Sequence, residues 1–460
     1  MIRNIVCGAG AFGASMFAAT TAWAAEAATT ATQAVTDAAA SAPVAAVVEE
    51  VAAVPNSGNN AWMMTATILV LLMILPGLML FYGGLTRSKN MLSTMTQIGS
   101  VTALAMIMWV ICGYGLAFGP EGNSIISWGK FFLAGVTPDS TAATFTDEVI
   151  SEYVFISFQM TFSAITISLV LGAVVERMKF AATMVFAFIW LLIVYYPIAH
   201  MVWEARGVFF AMGALDFAGG TVVHINAGVS ALVAALILGK RKGYPTEPMA
   251  PHSLTLTMVG TGLLWVGWFG FNAGSALEAN GSAALAMINT FVATAAGALA
   301  WMVVERLAGH KPSSLGFCSG IIAGLVAITP AAGNSGPFGA IVLGIIASVV
   351  CFYFVSKVKP ALGYDDTLDA FGIHGVGGIV GAIGTAVVFA PSLGGPGPED
   401  YGMGGQLATQ TIAVVTTIIL STVGTAIAIY IAKALTGLRV TQEVEFEGLD
   451  IGEHGERAYN

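Results

Sequence analysis

Charged side chains are scarce in this sequence. Of its 460 residues, 9% are charged, with 17 Lys or Arg and 26 Asp or Glu, whereas 57% are hydrophobic. A soluble protein of this length needs a charged surface, so the composition excludes a soluble globular fold. Long apolar stretches with few charges are typical of a polytopic membrane protein whose solvent is the lipid bilayer.

Two further classes of protein lack the residues that they would need. The formal net charge is −9 and no basic stripe is present, so nothing supports nucleic-acid binding. Cys7, Cys112, Cys318 and Cys351 form no CxxC pair, and we interpret them as small buried hydrophobic side chains. No nucleophile or metal-ligand cluster falls in the apolar stretches, so we expect no enzyme activity, metal or other cofactor.

The first 58 residues lack the pattern of a packed domain. Residues 1–24 combine the basic Arg3, an apolar run and the small-x-small sequence Ala22-Trp23-Ala24, which predicts a cleaved signal peptide. The alternative is an uncleaved membrane anchor. Residues 25–58 contain no Lys, Arg or aromatic residue, and we expect a flexible external tail there.

Apolar stretches recur from residue 61 onward. Eleven are long enough to cross the hydrocarbon core, which needs a helix of about 20 residues. Their predicted starts lie near residues 61, 93, 152, 180, 218, 253, 284, 313, 337, 369 and 407. The sequence therefore predicts an all-α polytopic membrane protein, with a membrane domain over residues 59–434 and a cytoplasmic tail over residues 435–460.

The basic residues predict how these helices are oriented. If the N-terminus lies outside, fourteen Lys and Arg residues fall on the inner side, and only Lys130 and Arg206 fall on the outer side. Cytoplasmic loops carry the excess of Lys and Arg. One missed helix would scramble every later loop, so the asymmetry supports eleven helices with the N-terminus outside and the C-terminus inside.

Two histidines lie inside predicted spans, His224 in the fifth and His374 in the tenth. A charged side chain at the bilayer centre costs about 3 kcal/mol on insertion scales, so ionisable groups there usually face a protein interior or a polar pathway. Two five-helix copies would insert with opposite topology, as an inverted repeat followed by an eleventh helix. Such a repeat would bring both histidines to the midplane.

Several roles are open to this pair. Two imidazoles facing one cavity could share a proton or hydrogen-bond a small polar substrate. The alternative is two neutral core histidines, each satisfied by a neighbouring helix. Metal ligation is weaker, because no third ligand falls at suitable spacing. Each histidine follows an acid, Asp216 or Asp369; we interpret Asp216 as a helix cap and Asp369 as its counterpart in a solvated inner loop with Asp365 and Asp366.

Aromatic residues gather toward the outer side of the inferred midplane. Ring faces attract a desolvated cation by about 2 kcal/mol, although a membrane-interface belt also explains a residue such as Trp203. A hydroxyl such as that of Ser275 could accept a hydrogen bond that ammonium donates and potassium cannot. The aromatic residues are Phe158, Phe162, Trp203, Trp268, Phe269 and Phe271.

Three stretches resemble the ammonium transporter (Amt/Mep/Rh) family, specifically its bacterial ammonium transporters. They are Asp216-Phe-Ala-Gly-Gly-Thr-Val-Val-His-Ile-Asn226, Gly267-Trp-Phe-Gly-Phe-Asn-Ala-Gly-Ser275 and Phe371-Gly-Ile-His-Gly-Val376. The resemblance runs from about Ala61 to the C-terminus. It implies ammonium or ammonia as substrate, a homotrimer with one pore per subunit, and a place in the bacterial inner membrane with a periplasmic N-terminus.

The resemblance also assigns roles to residues. Phe158, Phe162, Trp203 and Ser275 match the outer ammonium recruitment site, which Asp216 shapes. Phe162 and Phe271 match a stacked phenyl gate, and His224 and His374 match the twin pore histidines. The tail resembles a regulatory region that contacts the inner loops and the PII signal protein. A sensor is the alternative to a transporter, but only residues 435–460 follow the last predicted span, which favours transport.

Overall fold

The computed structural model describes residues 53–459. The predicted signal peptide and most of the predicted external tail therefore lie outside the described residues. Within the described part, eleven helices are long and apolar enough to cross a membrane, as predicted, and each begins within five residues of its predicted start. They are α1 Ser57–Leu85, α2 Ser88–Phe118, α3 Glu152–Ala173, α4 Phe180–Ala211, α5 Gly220–Leu238, α6 Leu254–Gly274, α7 Gly281–Leu307, α8 Ser314–Ala331, α9 Pro337–Leu362, α10 Phe371–Val388 and α11 Met403–Thr436.

Successive helices cross in opposite directions and define two ends of the bundle. The connection between α4 and α5 carries Asp216, and the connection between α5 and α6 carries Arg241. We call these the Asp216 end and the Arg241 end. Two short hairpins lie in the α2–α3 connection, where β1 Glu121–Gly122 pairs antiparallel with β2 Ser127–Trp128, and β3 Thr141–Ala143 with β4 Val149–Ser151.

Four helices form the centre of the bundle. In α3, α5, α8 and α10 the buried share of the most apolar segment is 67–78%, whereas it is 39% in α1, α7 and α9. In the centre, α5 and α10 approach closely where Gly228 meets Gly375. A Cβ at Gly228 would lie 2.1 Å from the Gly375 nitrogen, so only glycine permits this crossing. The crossing brings the histidine-bearing turns of α5 and α10 together.

Both histidine-bearing turns are wider than an α-helix. Residues Gly220–Ile225 and Phe371–Gly375 form π-helical turns at the start of α5 and α10. Such turns occur often at functional sites because they redirect side chains relative to a regular helix. The widened turns place His224 and His374 on the inner faces of their helices.

Asp366, and not Asp369, is the counterpart of Asp216, so the prediction for Asp369 was wrong. Asp366 accepts hydrogen bonds from the Ala370 and Phe371 nitrogens at the start of α10. Asp369 has a left-handed backbone with φ 60° and pairs with Lys359 at 2.6 Å. The loop is also not solvated, because Asp365 and Asp366 are buried. The Asp366 carboxylate reaches nitrogens four and five residues later, whereas Asp369 directly precedes these two residues and is too near.

The C-terminal segment packs on the Arg241 end through two short helices, α12 Gln442–Glu447 and α13 Leu449–His454. Asp450 accepts hydrogen bonds from the Leu92 and Ser93 nitrogens in the first turns of α2. Glu453 accepts one from the Phe180 nitrogen, the first residue of α4. Because helix starts leave backbone N–H groups without internal partners, these tail carboxylates cap two membrane helices.

Candidate functional site

The two histidines are in direct contact at the centre of the bundle. The Nδ1 atoms of His224 and His374 lie 3.2 Å apart, and the rings are nearly parallel, with centroids 5.3 Å apart. Both side chains are buried. A hydrogen bond between two imidazole nitrogens needs one donor and one acceptor, so the two rings share a single proton between their Nδ1 atoms.

A stacked pair of phenyl rings lies on the Asp216 side of the histidines. Phe162 of α3 and Phe271 of α6 have ring centroids 4.2 Å apart and an interplanar angle of 22°. Phe271 is also 6.0 Å from the His224 ring. Both phenyl rings are fully buried. The stacked rings therefore lie between Trp203 and His224.

Further aromatic residues line the approach to this phenyl pair. Trp203 meets Phe162 edge-on at 5.6 Å between centroids, and Phe158 lies 4.9 Å from Phe162. The Trp203 indole donates a hydrogen bond to the Asp216 carbonyl oxygen at 3.0 Å. This bond fixes the ring, so Trp203 presents a defined surface beside the phenyl pair.

Ser275 lies at the end of α6, one turn from Phe271. Its hydroxyl donates a hydrogen bond to the Phe271 carbonyl oxygen at 2.8 Å. A hydroxyl has one proton and two lone pairs, so once this proton is engaged the Ser275 oxygen is left as an acceptor. That orientation suits a ligand that donates a hydrogen bond.

The Asp216 carboxylate is fully engaged with the start of α5. It accepts hydrogen bonds from the nitrogens of Gly219, Gly220, Thr221 and Val222, at 2.5–3.0 Å. Burial raises the pKa of Asp216, and the four N–H donors limit that rise. The geometry agrees with the predicted helix cap. Asp216 also contacts the aromatic residues, because its carbonyl oxygen accepts the hydrogen bond from the Trp203 indole.

Two cavities flank the histidines. A narrow cavity of about 10 Å³, close to the space of one water molecule, is lined by both histidines, Trp268 and Phe271. A larger cavity of about 440 Å³ opens at the Arg241 end and reaches His374. The histidines thus lie between an apolar constriction and a roomy vestibule.

Two aromatic residues of α6, Trp268 and Phe269, do not lie with the outer aromatic residues among which the sequence pattern placed them. Trp268 lies beyond the phenyl pair, stacked on His224 at 5.4 Å between centroids, and its indole donates to the Thr329 hydroxyl at 3.0 Å. Phe269 points away and packs on Phe291. Helical periodicity was the available signal, because Trp268 and Phe271, three residues apart, share a helix face that Phe269 does not.

Sequence reasoning missed a buried ion-pair network at the Arg241 end. Arg241 bonds to Glu176 at 2.9 Å and to Asp365 at 2.8 Å, and Glu176 also accepts from Arg87. Burial raises the pKa of Glu176, but Arg241 and Arg87 outweigh burial and hold this pKa below its usual value. The network joins the connections that follow α1, α3, α5 and α9.

An eleven-helix apolar bundle, with a buried line of aromatic and imidazole rings leading to an open vestibule, is the architecture of a membrane transporter. A sequence model of the Ammonium Transporter Family matches residues 61–459. An ammonium transporter of Aquifex aeolicus (strain VF5) is 49% identical over 411 residues, which cover 88% of this chain and 94% of that relative. One of Bacillus subtilis (strain 168) is 46% identical over 407 residues, covering 87% and 98%.

Solved structures agree with this relationship. Mep2 of Saccharomyces cerevisiae superposes with a TM-score of 0.75 at 36% identity, covering 84% of this chain and 91% of that chain. A structure described as a sensor Amt protein gives a TM-score of 0.79 at 28% identity, covering 86% and 98%. The chain belongs to the ammonium transporter family, and it is a multi-pass membrane transporter, not an enzyme.

Proposed function

We propose that this protein conducts ammonium, as ammonia plus a proton, across the bacterial inner membrane. The observation that carries the proposal is the Nδ1 to Nδ1 contact of His224 and His374 directly behind the stacked Phe162 and Phe271. A bare ion in the apolar pathway between the phenyl rings and the histidines would lack solvation, whereas neutral ammonia needs only modest hydrogen bonding. Deprotonation therefore precedes passage of the phenyl pair.

Ammonium is recruited at the Asp216 end in this proposal. The rings of Phe158, Phe162 and Trp203 offer π faces to a cation. The Ser275 oxygen accepts one ammonium N–H, and potassium offers no such donor. Asp216 shapes the site by fixing Trp203 and the start of α5.

The histidine pair provides a separate route for the proton. When a proton binds Nε2 of one imidazole, its shared Nδ1 proton passes to the other imidazole, which releases its own Nε2 proton, so one proton crosses the pair and both rings end neutral. Ammonia crosses the same constriction by hydrogen bonding to these nitrogens, and reaches the vestibule beyond His374. The two species leave the membrane at the same end without an ion entering the apolar segment.

We also infer how the protein is oriented in the membrane and how its subunits assemble. The excess of Lys and Arg at the Arg241 end favours a cytoplasmic position for that end and a periplasmic position for the Asp216 end, with the N-terminal signal peptide cleaved. The protein acts as a homotrimer of inverted-repeat subunits, each with its own pore. The packed tail at the Arg241 end is the surface to which a PII signal protein binds.

Electrical recording on reconstituted protein tests the proposal. Proteoliposomes carrying the wild type should give currents on addition of ammonium, and His224→Leu with His374→Leu should reduce them at least tenfold. His310→Ala changes an exposed loop histidine and should leave the currents unchanged. Ammonium currents that persist in the double variant with the same size and selectivity would overturn the role of the pair in moving the proton.

A further inference from the structure

The α2–α3 connection carries an exposed aromatic cluster that the transport site does not use. Trp128, Phe131 and Phe132 are 44%, 42% and 72% exposed. We call residues 128–133 the aromatic loop. Burying a Phe side chain stabilises by about 1.5–3 kcal/mol relative to leaving it in water, and clustered exposed apolar side chains mark interaction surfaces.

The aromatic loop is fixed against α2 and is not a free hairpin tip. The Gly129 oxygen packs on Gly115, where a Cβ would lie 2.0 Å from it, and the Trp128 oxygen packs on Gly119, where the corresponding distance is 2.2 Å. Only glycine at position 115, near the end of α2, and at position 119, directly after α2, lets the loop approach so closely. The position of the exposed rings relative to α2 is therefore set by the fold.

The charged side chain of the aromatic loop, Lys130, forms an ion pair with the protein. Lys130 pairs with the buried Glu152 at 2.5 Å, and the Tyr114 hydroxyl donates to the same carboxylate at 2.6 Å. A neutralised lysine facing the protein leaves the outward side of the loop apolar. This arrangement suits a hydrocarbon neighbour, because an unpaired charge there would be costly.

The backbone keeps the phenyl rings outward at an energetic cost. Lys130, Phe132 and Leu133 adopt left-handed conformations with φ of 48°, 55° and 56°. Each such conformation costs about 1 kcal/mol or more in a residue other than glycine and persists only where its surroundings enforce it. The hydrogen bonds from Leu133 N to Lys130 O at 2.9 Å and from Val136 N to Leu133 O at 3.0 Å hold the turn.

The position of the aromatic loop along α2 indicates how deep the loop lies relative to the hydrocarbon core of the membrane. Phe131–Leu133 packs against the Trp109–Gly113 turn of α2, about 8–13 Å before the helix end at Phe118 at 1.5 Å rise per residue. Because α2 has 31 residues and the hydrocarbon core needs about 20, its last five or so residues pass through the headgroup layer. The loop therefore lies at the hydrocarbon edge.

The adjacent surface of α2 is also apolar and exposed. Ile107 and Ile111 are 61% and 39% exposed, and Ile111 lies in the turn that the loop contacts. The loop thus extends the surface that α2 presents to lipid. Trp and other aromatic residues are enriched at this level of the membrane.

We propose that the aromatic loop is a re-entrant anchor that inserts Phe131 and Phe132 into the bilayer leaflet at the Asp216 end. Its partner is the acyl-chain edge of the lipid bilayer. The loop would fix α2 and the start of α3 at a set depth, independently of what the protein transports.

Site-directed spin labelling of the full chain in phospholipid liposomes tests this anchor. Cys7, Cys112, Cys318 and Cys351 are replaced by Ala, and a nitroxide is attached to Phe132→Cys. Ile107→Cys serves as the lipid-facing control and Phe145→Cys, exposed in the turn between β3 and β4, as the aqueous control. Accessibility is measured to oxygen, which concentrates in lipid, and to a water-soluble nickel chelate.

The label at position 132 should give an oxygen-to-nickel accessibility ratio within about twofold of position 107 and at least fivefold above position 145. A ratio equal to that at position 145 overturns the anchor. Protection from both reagents with dipolar broadening also overturns it, since the rings would then contact a second copy of the chain. Phe131→Cys gives the same readout if Phe132→Cys does not fold.

Discussion

The Nδ1 atoms of His224 and His374 lie 3.2 Å apart, although 150 residues separate them in the sequence. This contact makes each histidine the hydrogen-bond partner of the other in a buried setting. Removing one ring leaves the remaining nitrogen unsatisfied, which costs about 1–3 kcal/mol. Removing both rings eliminates the polar groups together and avoids that cost.

A double-mutant cycle should detect this coupling. His224→Leu and His374→Leu should each lower the thermal stability in detergent, and the double variant should lose at least about 1 kcal/mol less than the sum of the two. Thermal unfolding, followed by the fluorescence of a thiol-reactive dye, provides the measurement. Strict additivity would contradict a direct hydrogen bond between the rings.

The phenyl pair should control the passage of water. Phe271→Ala removes one of the two stacked rings that block the proposed pathway on the Asp216 side of His224. The osmotic water permeability of proteoliposomes should therefore rise several-fold. The matched control is Phe269→Ala, because Phe269 belongs to the same helix but packs on Phe291. Stopped-flow light scattering gives the rate. Equal permeability in both variants would show that the stacked rings do not close the lumen.

The sequence predicted the features that depend on strong, long-range patterns. Apolar length gave eleven helices, and the repetition of a histidine in the fifth and tenth spans predicted that both histidines lie near the midplane, whereas their direct contact is seen only in the structure. The Asp216 cap was predicted because glycines and an apolar run follow it directly. These signals exist because a bilayer forces helical, apolar segments.

Features built from distant polar residues were not predicted. Asp365, Asp366 and Asp369 are indistinguishable by type, and only the turn geometry decides that Asp366 caps α10 while Asp369 pairs with Lys359. The Glu176 and Arg241 pair joins two connections 65 residues apart. Hydrophobic periodicity gives no information on which charged loop residues pair, because these residues are not part of a repeating apolar pattern.

Ser275 should set the apparent affinity for ammonium. Its hydroxyl proton is engaged by the Phe271 carbonyl oxygen, which leaves the oxygen free to accept from the substrate. A hydrogen bond to a charged group is worth about 1.5–3 kcal/mol, so Ser275→Ala should raise the apparent KM for methylammonium uptake by roughly tenfold or more. Ser275→Thr keeps the hydroxyl and should stay near the wild type. An unchanged KM in Ser275→Ala excludes this contact.

The Glu176 network should make stability depend on acidic pH. Arg241 and Arg87 hold the pKa of Glu176 below its usual value despite burial, so its ionised form stabilises the fold above about pH 4 and this contribution is lost as the pH falls through the folded-state pKa. The unfolding temperature of the wild type should therefore fall as the pH drops below about 4. Glu176→Gln should be less stable at pH 7 and show a shallower fall. Parallel pH profiles would contradict the assignment.

The tail should stabilise α2 through Asp450. This side chain accepts from the Leu92 and Ser93 nitrogens at 3.1 and 2.7 Å, and loss of such a cap typically costs about 1 kcal/mol. Asp450→Ala should release α13, so trypsin should cleave after Arg439 several-fold faster than in the wild type. Glu447→Ala, which changes an exposed acid in α12, should not alter the rate. Because Arg439 itself pairs with Glu445 at 2.6 Å, slow cleavage in Asp450→Ala would mean that α12 holds the tail without α13.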